Sequence, residues 1–379
     1  EVVNGYLKKW LERFDLFSEV YPFMQDVDLH LFVKKHESIS SLFPNMRSGA
    51  DAIYKVDNFE YDPIVSAASA ARAVITIQSY GIAGTKGRGL SFTDASATRQ
   101  PIFIIVGENL FETILLNIFS YPTPSLYFSN QNGDLPIWER DPSDYFVSEN
   151  RPIGLLDYMT WLNRRIKLIP MNTDGGLAVQ FMYYSVGLKL PESCFHPFSK
   201  YIYRKKKKKT EDNDYYPYRL DRSNVLWKDL AAIVQVFSGD DCKDITPYNL
   251  VWVKEMIEKG IVPRSKLRNL NVLGQITEMG RDKTRELIQE RIPLPLNVLS
   301  DENIYCILSD AINYALGCET ILYTGLKLAA AWLVMPEEDN IKILLGNDFG
   351  SQRRDSILAS WMNSNNYWGK LQPHFYKLL

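Results

Sequence analysis

The 379-residue sequence predicts an α+β protein: a large, irregular mixed domain over residues 1–296, then a helical bundle of the four-helix type over 297–379. Three observations carry this. Apolar residues at Ile304, Ile307, Leu308, Ala311, Ile312, Ala315 and Leu316 recur at the three-and-four spacing of a buried helix face. Pro293 and Pro295 break the chain just before that run, and beyond them nearly everything reads as helix. Ahead of them, short strand-like and helix-like pieces alternate with turn-rich stretches. The length also exceeds what one hydrophobic core commonly holds, so two domains are expected.

Along the chain, residues 1–17 read as a helix with Tyr6, Trp10, Phe14 and Phe17 on one face, followed by a turn through Tyr21-Pro22-Phe23-Met24-Gln25. A loop rich in Ser and Asn extends to about residue 62, and the alanine-dense stretch from Ser66 to Gln78 predicts a helix. Ile102–Val106 is a short apolar strand and Glu108–Phe119 a helix that ends before Pro122. Pro136–Trp138 and Gly154–Trp161 are further ordered pieces, and Arg164, Arg165 and Lys167 lead into a strand. Gly175–Leu220 is hairpin-like, and Trp227–Phe237 and Tyr248–Gly260 are helical. After a helix running to Met335, only Gln352–Met362 and Pro373–Leu379 read as helix, which leaves the four-helix pattern incomplete.

Net charge is −2 and the pI about 6.2, so the protein is no generally basic nucleic-acid coat. Any DNA contact must come from local patches. Cys194, Cys242, Cys306 and Cys318 form no C-x-x-C pair, which points to a reducing, cytoplasmic location and away from a zinc ribbon. None of His30, His36, His196 and His374 has a metal-ligand spacing, so no cofactor or metal is expected. Asp310, Asn313, Glu319 and Lys327 interrupt the longest apolar segment, which excludes a simple membrane span. The chain begins at Glu1 without a signal-like stretch, so a trimmed start is expected.

Two cationic features stand out. Gly81, Gly84, Gly87 and Gly89 fall within nine residues, threaded by Lys86 and Arg88. Glycine permits close backbone approach and positive φ, and the adjacent cations suit a phosphate backbone. The stretch matches neither a P-loop nor a dinucleotide fingerprint. The second feature is the run Arg204, Lys205, Lys206, Lys207, Lys208 and Lys209, followed by Glu211, Asp212 and Asp214. Its flanks, Phe195–Tyr203 and Tyr215–Tyr218, are aromatic and strand-like, which predicts a hairpin with a charged, extended tip. Taken singly, either feature also fits an ordinary solvated loop.

In this order the pieces resemble the large-subunit family, CasA, of the type I-E CRISPR Cascade complex. The resemblance is carried by Phe17, Tyr21–Gln25, the alanine-rich helix with its glycine loop, and Pro101–Leu110. Leu115–Asn117, Pro136–Trp138, Pro152–Gly154 with Trp161, His196–Phe198 and Arg291–Leu296 complete the series. The resemblance implies a non-catalytic subunit of an RNA-guided complex. Such a subunit reads the protospacer-adjacent motif of double-stranded DNA from the minor groove, helps open the strands and recruits a helicase–nuclease. It implies contacts with the guide-RNA 5′ end and with the backbone, 5′-handle-binding and small subunits, and none with a membrane.

Carried over residue by residue, the family's glycine loop falls at Gly87 and Gly89, with Gly81, Gly84, Lys86 and Arg88 beside them. Its lysine finger falls in Lys205–Lys209, any of whose five lysines could insert. The loop near the guide RNA and motif corresponds to Ser48–Lys55, including Gly49 and Tyr54. The family's glutamine wedge corresponds to the turn Gly280, Arg281, Asp282, Lys283 and Thr284, which contains no glutamine. Lys283 is then the first candidate and Gln275 the competing one, with Arg281 as a further DNA contact.

Two other readings compete. Asp240, Asp241 and Asp244, with Glu211, Asp212 and Asp214, would form a two-metal nuclease, although adjacent loop carboxylates are more often solvated turn residues. A purely structural scaffold of a nucleoprotein complex would need neither the glycine loop nor the lysine tip.

Overall fold

The computed structural model describes residues 1–43, 62–86, 90–120, 132–147, 149–191, 193–205, 214–220, 225–237, 243–278, 283–346, 351–361 and 364–379. The chain opens with α1 (Val2–Lys9), a 3-10 turn over Leu11–Phe14, α2 (Leu29–Phe32) and the short strand β1 (Glu37–Ser38). β2 (Val65–Ser66) leads straight into α3 (Ala67–Tyr80), whose start is fixed by the Ser66 hydroxyl accepting from the Ser69 amide. β3 (Gly84–Lys86) and β4 (Leu90–Phe92) make an antiparallel hairpin. β5 (Ile102–Val106) is followed by α4 (Leu110–Asn117), capped by Asn109, and then by α5 (Leu155–Met159). β6 (Arg164–Thr173) and β7 (Gly176–Val186) form a long hairpin, and β8 (Tyr201–Tyr203) and β9 (Tyr215–Pro217) a short one. α6 (Leu230–Ile233), α7 (Tyr248–Glu258), β10 (Leu267–Glu278) and β11 (Lys283–Pro295) precede the C-terminal helices. These are α8 (Glu302–Val334), α9 (Ile341–Leu345), α10 (Ser351–Trp361) and α11 (Ser364–Leu378). The architecture is α+β with a helical C-terminal region.

Two packing units interleave along the chain and do not coincide with a single cut at 296. One comprises Glu1–Ile102, Phe119–Arg219 and Leu273–Gln289; the other comprises Phe103–Ile118, Leu220–Val272 and Glu290–Leu379. In the first, β7 pairs with β6 along one edge and with β1 and β2 along the other. α3 buries Ala70, Ala73, Val74 and Ile77, a three-and-four face, in a cluster with Ile166, Leu168, Val179, Met182 and Tyr184 from the sheet. That packing makes α3 the rigid element from which the β3–β4 hairpin departs.

In the second unit, Asn117 ties α4 to β5, accepting from the Ile105 amide at 3.1 Å and donating to the Ile105 carbonyl at 2.7 Å. Asp301 caps α8 by accepting from the amides of Asn303 and Ile304. Trp227 stacks on Phe375 with ring centroids 4.4 Å apart and meets Trp368 edge-on at 5.0 Å. Buried Arg354 donates to the carbonyls of Leu344 and Gly346, closing the end of five-residue α9.

Several details differ from the sequence expectations: the stretch read as loop to about residue 62 holds α2 and β1, and the helical region read as incomplete holds the four described helices α8 to α11. The first helix stops at Lys9 rather than near 17. Pro293 and Pro295 lie in β11, the second arm of a β10–β11 hairpin, rather than marking a break before the helices. Its signal is alternation, with Leu270 and Val272 buried on one arm and Ile292 and Leu294 on the other. Finally, α11 starts at Ser364 and runs through Pro373, which forgoes one backbone bond rather than starting a helix.

Candidate nucleic-acid interface

The base of the glycine hairpin is stapled from several sides. Cβ alternation along β6 puts Arg164 in register with Ile166 and Leu168, so its side chain enters the core, where it is 1% exposed. Its backbone amide donates to Gln78 Oε1 and its carbonyl accepts from Gln78 Nε2, both at 2.8 Å, which locks β6 to α3. The guanidinium donates through Nη2 to the Ile82 carbonyl and through Nη1 to the Thr93 carbonyl, both at 2.8 Å, and also bonds Asn163 Oδ1. Asp94 accepts from the Ala83 amide at 2.7 Å and pairs with Arg99. Gly81 accepts from the Thr98 hydroxyl at 2.9 Å and from the Ala95 amide at 2.8 Å. Phe92 is buried and stacks on Tyr184 at 5.1 Å.

The glycines at the base have distinct local reasons. A Cβ on Gly81 would lie 2.5 Å from the Ile77 carbonyl oxygen and 2.9 Å from Arg164 Nη2. Gly81 is thus glycine because the helix end and the guanidinium crowd it. Gly84 has φ 155°, a value side-chain-bearing residues seldom adopt. Ladder pairs Gly84↔Phe92, Thr85↔Ser91 and Lys86↔Leu90 join the two arms on either side of 87–89. Gly87, Arg88 and Gly89 lie outside the described residues, as does the side chain of Lys86.

The lysine hairpin rests on aromatic packing. Tyr201↔Pro217, Ile202↔Tyr216 and Tyr203↔Tyr215 pair, and the Arg204 amide adds a further bond to the Asp214 carbonyl at 2.8 Å. Phe195 meets Tyr201 and Tyr215 at 4.8 and 5.5 Å. Buried His196 accepts from the Phe198 amide through Nδ1, which requires an unprotonated Nδ1, and burial pushes its pKa down to about 3. The Tyr201 hydroxyl accepts from the His196 amide at 2.6 Å. Lys205 is exposed at the edge of the tip; Lys206, Lys207, Lys208 and Lys209 lie outside the described residues.

The third hairpin is β10–β11; Gly280 and Arg281, between its strands in sequence, lie outside the described residues, and the Lys283 side chain is likewise undescribed. Gln275 sits on β10, 7% exposed, and donates through Nε2 to the Tyr80 carbonyl at 3.1 Å. That bond occupies the side chain at the end of α3, one residue before Gly81. Ser48, Gly49, Tyr54 and Lys55 are outside the described residues.

A model of the family described as CRISPR-associated protein Cse1 matches residues 1–379. The chain belongs to the Cse1 family. A relative from Thermus thermophilus, CRISPR-associated protein CasA/Cse1, is 29% identical over 314 residues, covering 80% of this chain. The chain spans 57% of that relative's length. Among solved structures, Cse1 from Thermobifida fusca superposes with a TM-score of 0.78 at 20% identity, over 99% of this chain and 69% of that one. Cse1 from Acidimicrobium ferrooxidans gives 0.75 at 20% identity, over 100% and 71%. Thermus thermophilus CasA gives 0.72 at 24%, over 99% and 71%. At these identities the likeness establishes the Cse1 fold.

Within this Cse1 chain, the structure places the strand ends that flank 87–89, 206–213 and 279–282 in the first packing unit. It also links two of these hairpins through consecutive residues at the end of α3. Sequence reasoning missed the staples: Gln78, Asp94, Asn163 and above all Arg164. The available signal was an arginine in the core-facing register of a strand, where charge is rare unless paired. No group of three His, Cys, Asp or Glu able to hold a metal occurs among the described residues. Of the acidic residues considered for a nuclease, Glu211, Asp212, Asp240 and Asp241 lie outside them. Among the described residues, no helix is long and apolar enough to cross a membrane.

Proposed function

We propose that this chain is the non-catalytic large subunit of an RNA-guided Cascade complex. In this reading it recognises a short motif beside the target on double-stranded DNA, starts strand opening and recruits the helicase–nuclease. Membership of the Cse1 family supports the assignment, and one neighbour in fold, 19% identical with a TM-score of 0.70, is described as a CRISPR RNA-guided surveillance complex.

The observation that carries the motif-reading role is the stapled β3–β4 hairpin, whose rigid base brackets the glycine-rich, cationic stretch of the sequence. Glycines in such a stretch let backbone approach the groove floor, and minor-groove reading is degenerate, so several motifs should be tolerated. In RNA-guided recognition of this kind, guide pairing reads the sequence and the protein reads the motif. The lysine run supplies phosphate contacts, and Ser48–Lys55 corresponds to the family's loop near the guide-RNA 5′ end. Two exposed apolar surfaces support protein partners: Leu110, Phe111, Ile114, Leu115 and Ile118 around α4, and Ile307, Tyr314 and Ile321 at heptad spacing on α8.

The test is binding of the assembled complex to duplexes with a randomised flanking motif. Enrichment of a small motif set that disappears in a Gly87→Val, Gly89→Val variant supports the reading. Indifference to the flank overturns it.

A further inference from the structure

We propose that Arg164 is a positioning residue for motif reading, acting through the backbone of the glycine hairpin without touching DNA. The proposal rests on the reading that the β3–β4 tip contacts the duplex.

Arg164 bridges the two arms of the hairpin just below its first ladder pair. Ile82 precedes β3 by two residues and Thr93 directly follows β4, and one guanidinium holds both carbonyls at 2.8 Å. The same group lies 4.9 Å from the Phe92 ring, the residue opposite Gly84 in the ladder. Its own backbone is fixed to α3 by the paired bonds with Gln78. The hairpin is therefore referenced to the packed α3–sheet core through one side chain rather than through a flexible connection. Gly81 is part of the same device, because a Cβ there would lie 2.9 Å from Nη2.

The chemistry calls for arginine. A planar fork with five N–H donors can serve two carbonyls and a side-chain amide at fixed angles, whereas a lysine ammonium is a single point on a flexible stem. Burying a guanidinium is costly unless its donors are satisfied. The favoured state is consequently the one with both arms drawn in, which sets the angle at which the β3–β4 ladder leaves the core. A displacement of about 1 Å at a recognition element can cost orders of magnitude in function. Arg164 should accordingly govern discrimination among motifs more than total affinity.

The test uses the complex assembled from this chain, its guide RNA and partner subunits. Binding is measured to a duplex with the preferred motif, a duplex with a scrambled motif, and a single-stranded target that needs no motif. With Arg164→Lys, the ratio between the two duplexes should fall roughly tenfold or more, while single-strand binding stays within about twofold. An unchanged ratio overturns the proposal. Equal loss on all three targets also overturns it, since that marks a residue needed only for folding or assembly. If Arg164→Lys fails to fold, Phe92→Leu decides, because it keeps an apolar core residue and removes the ring beside the guanidinium. A reduced ratio there supports positioning, and an unchanged one rejects it.

Failure of the underlying reading looks different. If Arg88→Ala and Gly87→Val leave discrimination intact in the otherwise native chain, the tip does not read the motif, and the proposal falls with it.

Discussion

Gln275 donates its side-chain amide to the carbonyl of Tyr80 at 3.1 Å, tying β10 to the last residue of α3. Carbonyls in the last turn of a helix lack intrahelical donors, so the bond satisfies a group that burial would otherwise leave unpaired. The next residue, Gly81, begins the approach to the glycine hairpin. A residue considered as a DNA wedge is thus held in a structural bond that joins two hairpins through α3.

Gln275→Ala should therefore lower the stability of the subunit by roughly 1 to 2 kcal/mol, the cost of leaving a buried carbonyl unpaired. Denaturant unfolding of the isolated chain measures this. An unfolding midpoint equal to that of the parent would mean that water replaces the amide without loss.

The lysine hairpin gives a salt-dependent prediction. Replacing Lys205 through Lys209 by alanine should weaken duplex binding and flatten its dependence on salt. Each lost phosphate contact removes about 0.9 from the slope of log K against log salt. Because the hairpin base is held by Phe195, Tyr201 and Tyr215, the variant should keep its unfolding midpoint. An unaltered slope would mean that the run stays in solvent.

His196 makes stability sensitive to acid. In the folded chain burial pushes its pKa down to about 3, against about 6.5 when unfolded. Between those values the unfolded chain binds the extra proton, so stability is fully present above about 6.5 and declines as pH falls toward 3. The slope for this one group approaches about 1.4 kcal/mol per pH unit. His196→Asn can retain an acceptor for the Phe198 amide and should remove that part of the slope. Unfolding curves at a series of pH values check it, and parallel profiles for the two proteins would exclude His196 as the source.

Much of this was legible in the residues. Three-and-four spacing gives α8, and alanine density gives α3, whose buried face the structure shows at Ala70, Ala73, Val74 and Ile77. Aromatic flanks around a charge run gave the β8–β9 hairpin. The β10–β11 hairpin was not read, because Pro293 and Pro295 look like a break when the alternation of Ile292 and Leu294 is not counted. The staples at the glycine hairpin were illegible for another reason. Arg164 meets Ile82 and Thr93 across some 70 to 80 residues of chain, and no local pattern encodes such a contact.

The wedge is the last prediction. Gln275 is buried against Tyr80, which leaves Lys283, the first residue of β11, as the wedge candidate. Opening the first base pair costs on the order of one stacking step, ~1.4 kcal/mol. A side chain occupying the vacated stack would offset part of that. Lys283→Ala should slow strand opening on fully paired DNA, and it should matter much less when the first target pair is already mismatched between the DNA strands. Gln275→Ala is the control, since its effect should follow stability and not the state of that pair. Equal slowing of Lys283→Ala on paired and pre-opened targets would show that Lys283 only holds phosphate. Rescue by pre-opening in Gln275→Ala alone would return the wedge to Gln275 and require its bond to Tyr80 to break on DNA binding.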